Sequence, residues 1–371
     1  VQLCLQGLRM SSRLRYRFPI ASLHGVTRHA PSTQNGHTRM NPQNPSPAVT
    51  IADIRKAADR IAPHAIRTPL LESPRLNDWL GFRLLVKCEN LQHTGSFKLR
   101  GATNAVMSLP DSVTDVVAYS SGNHAQAVAR AASRRGMNAT IVMPEDAPAL
   151  KIEGTKAYSA EVVTYDRYNE SREEIGGAIA AERNAELIRP FEDVRVIAGQ
   201  GTIGLEIASQ CAELGATPDH VISCCGGGGL IAGTSLAVTS QIPGAKVWAA
   251  EPEGFDDTIR SLESGEILSV DPANRSICDA VVTPSPGEIT FSINRNTLSG
   301  GFAVSDDLVL RVMATAFKHL KIVVEPGGAV AMAAALDGRL PAGTNCAVAV
   351  ASGGNVDPEM FARALAAGPL F

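Results

Sequence analysis

The chain has 371 residues, 44% hydrophobic, 19% charged and 5% aromatic, with a net charge of -3. The apolar fraction excludes a disordered chain, and the apolar runs fall short of the ~18 residues of a membrane span. Without a basic excess, and with few aromatics for base stacking, nothing calls for nucleic acid. Glycine is in surplus, 33 residues or about 9% against a usual ~7%, so the composition describes a globular protein that acts on something small.

Residues 1–52 contain no Asp or Glu but six arginines, Arg9, Arg13, Arg15, Arg17, Arg28 and Arg39. An Arg- and Ser-rich, acid-poor start is either an organelle transit peptide or extra sequence ahead of Met10 or Met40. The first 45 residues are therefore read as a disordered or targeting extension. From Thr50 the texture becomes regular. Ile51–Ile61 has helical spacing, Arg83–Lys87 and Val116–Tyr119 read as strands, and Ala125–Arg135 is an Ala-rich helix. Strand Ala139–Met143, helix Ala149–Tyr158, strand Glu161–Thr164 and helix Asn169–Asn184 follow. Strand His220–Cys225 runs into four glycines and a helix, and Lys246–Ala250 and Ala347–Ala351 are further strands. The βαβ alternation of apolar strands predicts an α/β fold with parallel sheet. Seven scattered cysteines, Cys4, Cys88, Cys211, Cys224, Cys225, Cys278 and Cys346, are no disulfide framework and imply a reducing compartment. Adjacent Cys224 and Cys225 read as small buried hydrophobes on a strand.

In such sheets ligands gather where strands end and helices begin. Four glycine-bearing turns stand there: Thr94–Gly101, Ser120–His124, Cys225–Leu230 and Ala351–Asn355. Cys225-Gly-Gly-Gly-Gly-Leu230 lets backbone N–H groups approach a ligand at a helix N-terminus, which suits phosphate; no G-K-[ST] follows, so it is not a P-loop. Gly199-Gln-Gly-Thr-Ile-Gly204 matches the dinucleotide fingerprint but lacks a good preceding strand, and reads as a helix-opening turn. Lys98, in Gly95-Ser-Phe-Lys-Leu-Arg-Gly101, falls at a predicted helix start, where the dipole disfavours a cation. It is either a solvated surface lysine or an amine of lowered pKa able to form a Schiff base. A phosphate cradle together with such a lysine implies pyridoxal phosphate.

The text Lys87-Cys-Glu-Asn-Leu-Gln-His-Thr-Gly-Ser-Phe-Lys-Leu-Arg-Gly-Ala102, Ser120-Ser-Gly-Asn-His-Ala-Gln126, Val196-Ile-Ala-Gly-Gln-Gly-Thr202, Gly226-Gly-Gly-Gly-Leu230 and Ser352-Gly-Gly-Asn355 resembles the fold-type-II pyridoxal-phosphate enzymes. The likeness is to the threonine/serine dehydratase and serine racemase group, hydroxyaspartate dehydratases included, and it spans about residues 50–365. It implies a two-domain, tryptophan synthase β-like fold of twisted, mostly parallel sheets flanked by helices. Residues 46–114 and 193–366 would form the large cofactor-binding domain and 115–192 the small one.

The resemblance also implies roles. Lys98 holds the cofactor and moves the substrate α-proton, Phe97 packs on the ring, and Asn123 bonds the phenolic oxygen. Gly226, Gly227, Gly228, Gly229 and Leu230 bind phosphate, and Ser352 faces the pyridine nitrogen. Ser120, Ser121, Asn123 and His124 meet the substrate carboxylate, and Arg172 reaches the substrate. Ser121 is a second acid/base, the choice of racemases and hydroxyaspartate dehydratases. Glu251, the Phe255 carbonyl and Asp257 bind Mg²⁺, Mn²⁺ or Ca²⁺. Asp279 is followed by Ala280 where many relatives have glycine, which bears on side-chain preference. The implied activity is dehydration of threonine, serine or 3-hydroxyaspartate to a 2-oxo acid and ammonia; the alternative is a serine or aspartate racemase on the same site. A cytoplasmic homodimer acting on a small amino acid completes the expectation, organelle targeting through the Arg-rich start being the other location. The glycine surplus would then be clearance around one phosphorylated cofactor.

Overall fold

The computed structural model describes residues 48–371 except 121 and 148, and residues 149–150 by backbone only. The expectations for the Arg-rich start and for Ser121 lie outside the described residues. The strands are β1 (Leu70–Glu72), β2 (Arg83–Cys88), β3 (Asp115–Tyr119), β4 (Asn138–Pro144), β5 (Glu161–Tyr165), β6 (Glu186–Leu187), β7 (His220–Cys224), β8 (Lys246–Pro252), β9 (Leu298–Val304) and β10 (Cys346–Ala351). The helices are α1 (Ile51–Ile61), α2 (Pro74–Leu80), α3 (Lys98–Met107), α4 (Asn123–Arg135), α5 (Ala149–Lys156), α6 (Arg172–Arg183), α7 (Val194–Glu213), α8 (Gly229–Gln241), α9 (Asp257–Ser264), α10 (Glu288–Thr297), α11 (Asp306–Leu320), α12 (Pro326–Leu336) and α13 (Pro358–Ala367).

Two sheets result. One has six strands in the order β1-β2-β10-β7-β8-β9, the other four in the order β5-β4-β3-β6. Every pairing is parallel except β1 on β2. The sequence explains the centre of the large sheet: Cys-Ala-Val-Ala-Val-Ala in β10 and His-Val-Ile-Ser-Cys in β7 are buried at every residue, the pattern of strands covered on both faces. Helix α12, apolar all round, is likewise buried along its whole length. The six described cysteines are buried and unpaired, and Cys224 and Cys225 sit at the inner end of β7 as small core residues.

Most predicted elements hold within a few residues. The helix expected from Asn169 starts at Arg172, because the Ser171 hydroxyl accepts from the Glu174 N–H and caps it there. The reading of Gly199–Gly204 as a helix-opening turn is corrected. These residues lie inside α7, with Asp193 as N-cap, and their glycines serve close helix packing. A Cβ on Gly199 would fall 2.6 Å from the Gly101 Cα of α3, and one on Gly201 would fall 2.9 Å from the Gly233 carbonyl of α8. The Gly300-Gly301 pair lies in β9 beside a register shift at Val247/Ala249, where Gly300 takes φ +131 and Gly301 clears the Ala249 carbonyl.

Candidate active site

The four turns converge on one cavity. Its lining includes Phe97, Lys98, Ser120, Asn123, His124, Lys151, Arg172, Gly226–Gly229, Leu230, Asp279, Glu325 and Ser352. Backbone stitches hold two of the turns together: Phe97 N–H donates to the Ser352 carbonyl (3.0 Å) and Gly354 N–H to the Gly95 carbonyl (2.9 Å). The start of α3 is anchored by Arg100, which is 1% exposed and forks onto Glu89 (2.8 Å twice) and Glu206 (2.7 and 2.8 Å). Glu206 also accepts from the buried Lys87 ammonium (2.6 Å). Such a network is costly to break one partner at a time, so the helix that begins with Lys98 has little freedom.

Lys98 is half-buried and donates to the Pro190 carbonyl (2.9 Å), with its Nζ 5.2 Å from the centre of the Phe97 ring. Burial pushes its pKa down to about 8, which enlarges the neutral fraction of the amine near physiological pH without making it the major form. His124 is buried, and its pKa falls to about 3, through burial first and the nearby Lys98 charge second. Its Nε2 lies 2.9 Å from the Ile188 carbonyl, which can only accept, so Nε2 carries the proton and Nδ1 is a buried acceptor without a partner. What His124 can offer an anion is therefore its backbone N–H. The Ser352 hydroxyl accepts from the Cys224 thiol (3.3 Å), which leaves its own proton free for the cavity.

Two helix N-termini face this space without side-chain caps. In α8 the N-cap is Gly228 at φ +89, and in α4 it is Gly122. Both present N–H groups that find no partner among the described residues, and the positive end of a dipole. The glycines are not all spent on a ligand, which narrows the expectation for the surplus. A Cβ on Gly227 would overlap the Phe191 ring, one on Gly95 the Asn355 carboxamide, and one on Gly353 the Glu325 carboxylate.

The outer wall carries charge. The Arg172 guanidinium lies 5.5 Å from the Tyr119 ring centre and bonds Glu173 (2.8 Å), while Lys151 pairs with Asp279 (3.1 Å). Glu251 and Asp257 lie outside the cavity, Glu251 near the end of β8 and Asp257 at the start of α9, and both are buried. The Glu251 oxygens accept from the Thr258 and Ile259 N–H groups, and Asp257 Oδ2 is buried with no partner. Burial pushes Glu251 up to about 8, with repulsion from Asp257 adding to it, and Asp257 up to about 7.

The cavity thus gathers every described residue expected at the cofactor and substrate, and the two carboxylates expected at a metal, Glu251 and Asp257, lie apart from it, close enough for the Asp257 charge to act on Glu251. Sequence reasoning passed over Glu325, Asn355 and Lys151. Glu325 is a lone acid between the apolar Ile322-Val-Val324 and the wholly apolar α12, a pattern that marks a buried carboxyl.

A parallel α/β fold with a lowered-pKa lysine, a glycine cradle and a second uncapped helix N-terminus defines an enzyme built around a phosphorylated aldehyde cofactor. A family model described as pyridoxal-phosphate dependent enzyme matches residues 61–353. The chain is 41% identical over 315 residues to L-threo-3-hydroxyaspartate ammonia-lyase of Saccharomyces cerevisiae, covering 84% of this chain and 95% of that protein. It is 39% identical to serine racemase of Dictyostelium discoideum, covering 86% and 99%. The crystal structure of a T.th. threonine deaminase superposes with a TM-score of 0.78 at 46% identity, covering 83% and 99%. The chain belongs to the pyridoxal-phosphate dependent enzymes and is of their threonine/serine dehydratase-like kind. The cavity fits that cofactor: an amine for its aldehyde, main-chain donors for its phosphate, and a hydroxyl at Ser352 for a ring heteroatom.

Proposed function

We propose that this enzyme is an ammonia-lyase that removes water from a β-hydroxy amino acid, 3-hydroxyaspartate first and threonine or serine after it, to give a 2-oxo acid and ammonia. The observation that carries the reading is the meeting of the Lys98 amine with the uncapped starts of α8 and α4 in one cavity. The hydroxyaspartate ammonia-lyase relative and two further cations on the outer wall, Lys151 and Arg172, favour a substrate with a second carboxylate. Bound pyridoxal phosphate supplies the electron sink. Lys98 Nζ would anchor it and would accept the proton from the substrate α-carbon. Gly226–Gly229 and Leu230 hold the phosphate through N–H groups, and Phe97 packs on the ring. Ser352, a neutral hydroxyl, would face the pyridine nitrogen as a hydrogen-bond partner. The N–H groups at Ser120–His124 orient the α-carboxylate. In the test, 2-oxo acid is measured with each of the three substrates; product from none of them contradicts the reading.

A second reading, racemisation on the same site, is favoured by Ser121 and by the 39% identical serine racemase. Ser121→Ala then lowers formation of the opposite enantiomer more than formation of 2-oxo acid; equal losses remove that role.

Glu251, the Phe255 carbonyl and Asp257 are proposed to hold Mg²⁺, Mn²⁺ or Ca²⁺. Two buried carboxyls with raised pKa values and one unpartnered oxygen are the donor set a hard cation would neutralise. The expected result is a rise in melting temperature with the cation, reversed by EDTA and absent in Glu251→Gln. No shift in the parent protein contradicts it. The same reading assigns 46–114 and 193–366 to the large domain and 115–192 to the small one, and takes the chain as a cytoplasmic homodimer; sedimentation at monomer mass argues against the dimer.

A further inference from the structure

The fourth residue of the Ser352-Gly-Gly-Asn355 turn has no part in the account above. Asn355 Nδ2 donates to the Thr94 carbonyl (2.8 Å) and to Asn123 Oδ1 (2.7 Å), and Asn123 Nδ2 donates to Glu325 Oε1 (2.6 Å). The direction of this relay is fixed by its first member. A main-chain carbonyl only accepts, so the NH₂ end of Asn355 must face Thr94. The same NH₂ reaches Asn123, so Asn123 turns its oxygen toward Asn355 and its NH₂ toward Glu325. The buried Glu325 carboxyl closes the chain, and one N–H of Asn123 is left for the cavity that this residue lines. The backbone makes room for the arrangement. Gly95 sits at φ +71, and its missing Cβ is the space that the Asn355 carboxamide fills; Gly353 does the same for Glu325.

We infer that Asn355 is a positioning residue: by locking the Asn123 amide between itself and Glu325, it keeps an N–H of Asn123 aimed into the cavity at the cofactor. The inference rests on the reading that Asn123 contacts the cofactor. The relay joins parts of the site that meet only in the folded chain. Thr94 precedes α3, Asn355 follows β10 of the six-stranded sheet, Asn123 opens the helix after β3 of the four-stranded sheet, and Glu325 caps α12. Without Asn355 the Asn123 amide keeps only its bond to Glu325, and the N–H aimed into the cavity loses one of the two contacts that fix its direction.

The test is a double-mutant cycle on holoenzyme, read by the visible absorption band of the bound cofactor and by its dissociation constant. Asn123→Ala and Asn355→Ala should each shift the band and weaken cofactor binding by about tenfold, the range of one lost hydrogen bond to a charged partner. The double variant should be no worse than either single one. Asn355→Asp keeps the shape but offers Thr94 and Asn123 only acceptors, so it should reproduce the shift even if the alanine variant folds poorly. An unchanged band and affinity in Asn355→Asp, or losses that add with those of Asn123→Ala, overturn the inference while Asn123 keeps its role. An unchanged Asn123→Ala removes the cofactor contact itself, and the inference with it.

Discussion

The two sheets supply the two walls of the cavity in different ways. On the six-stranded side, β10 and α12 are buried throughout, and the turn before α3 is clamped by the Arg100–Glu89–Glu206–Lys87 network. On the four-stranded side, edge strand β5 buries only Tyr165, α6 buries only Gly176 and Ala180, and the cations at the wall make exposed or half-exposed ion pairs. Elements with few buried contacts open at low cost, whereas groups that must hold geometry need locked support. Most residues proposed to grip the cofactor, Lys98, Gly226–Gly229 and Ser352, come from the first wall, with Asn123 the exception from the second. Those proposed to meet the substrate, Ser120, His124, Arg172 and Lys151, come from the second.

If that division is real, substitutions on the two walls should fail differently. The largest effect belongs to Lys98→Ala, which should abolish 2-oxo acid formation and the borohydride-sensitive visible absorbance while leaving the fold intact. Retained activity breaks the scheme at its centre. Next, Gly228→Ala places a side chain at φ +89 and a Cβ 2.9 Å from Thr290. It should weaken cofactor binding by about tenfold or more, since a left-handed residue alone costs roughly 1–2 kcal/mol. Binding as tight as in the parent would show that the loop does not cradle phosphate. On the other wall, Lys151→Met should raise KM for 3-hydroxyaspartate by about threefold to tenfold, with little change for serine and none in cofactor affinity. Equal KM changes for both substrates would remove its role in reading a second carboxylate.

The smallest expected effect concerns Glu325, whose burial pushes its pKa up to about 7 from an ordinary 4.5. A carboxyl raised on folding favours the native state in its neutral form. Its contribution is fully present below about 4.5 and is lost as pH rises through about 7. Cofactor-free Glu325→Gln should therefore lose less melting temperature than the parent between pH about 5 and about 8. Parallel curves would mean that Glu325 does not titrate in that window.

The contrast between the walls also marks how far the sequence could be read. The β7–glycine–α8 unit is legible because an apolar strand, four glycines and a helix are consecutive, so every cue is local. Lys98 at a helix start is legible for the same reason. Glu325 and Asn355 are not, because their partner Asn123 lies 202 and 232 residues away and only the sheet order brings them together. Gly199–Gly204 misleads in the opposite direction. Its spacing matches a nucleotide turn, yet the requirement it meets is helix contact with Gly101 and Gly233, which no local pattern reveals. Strand β1 escapes notice because three half-buried residues carry too little periodicity to see.

The central claim is that this site eliminates water from a β-hydroxy amino acid. The most direct test incubates purified holoenzyme with L-threo-3-hydroxyaspartate and follows 2-oxo acid and ammonia together. The account predicts both products in equal amounts, with no turnover in Lys98→Ala. Loss of neither water nor ammonia from 3-hydroxyaspartate, serine and threonine alike, with only the opposite enantiomer accumulating, would contradict it.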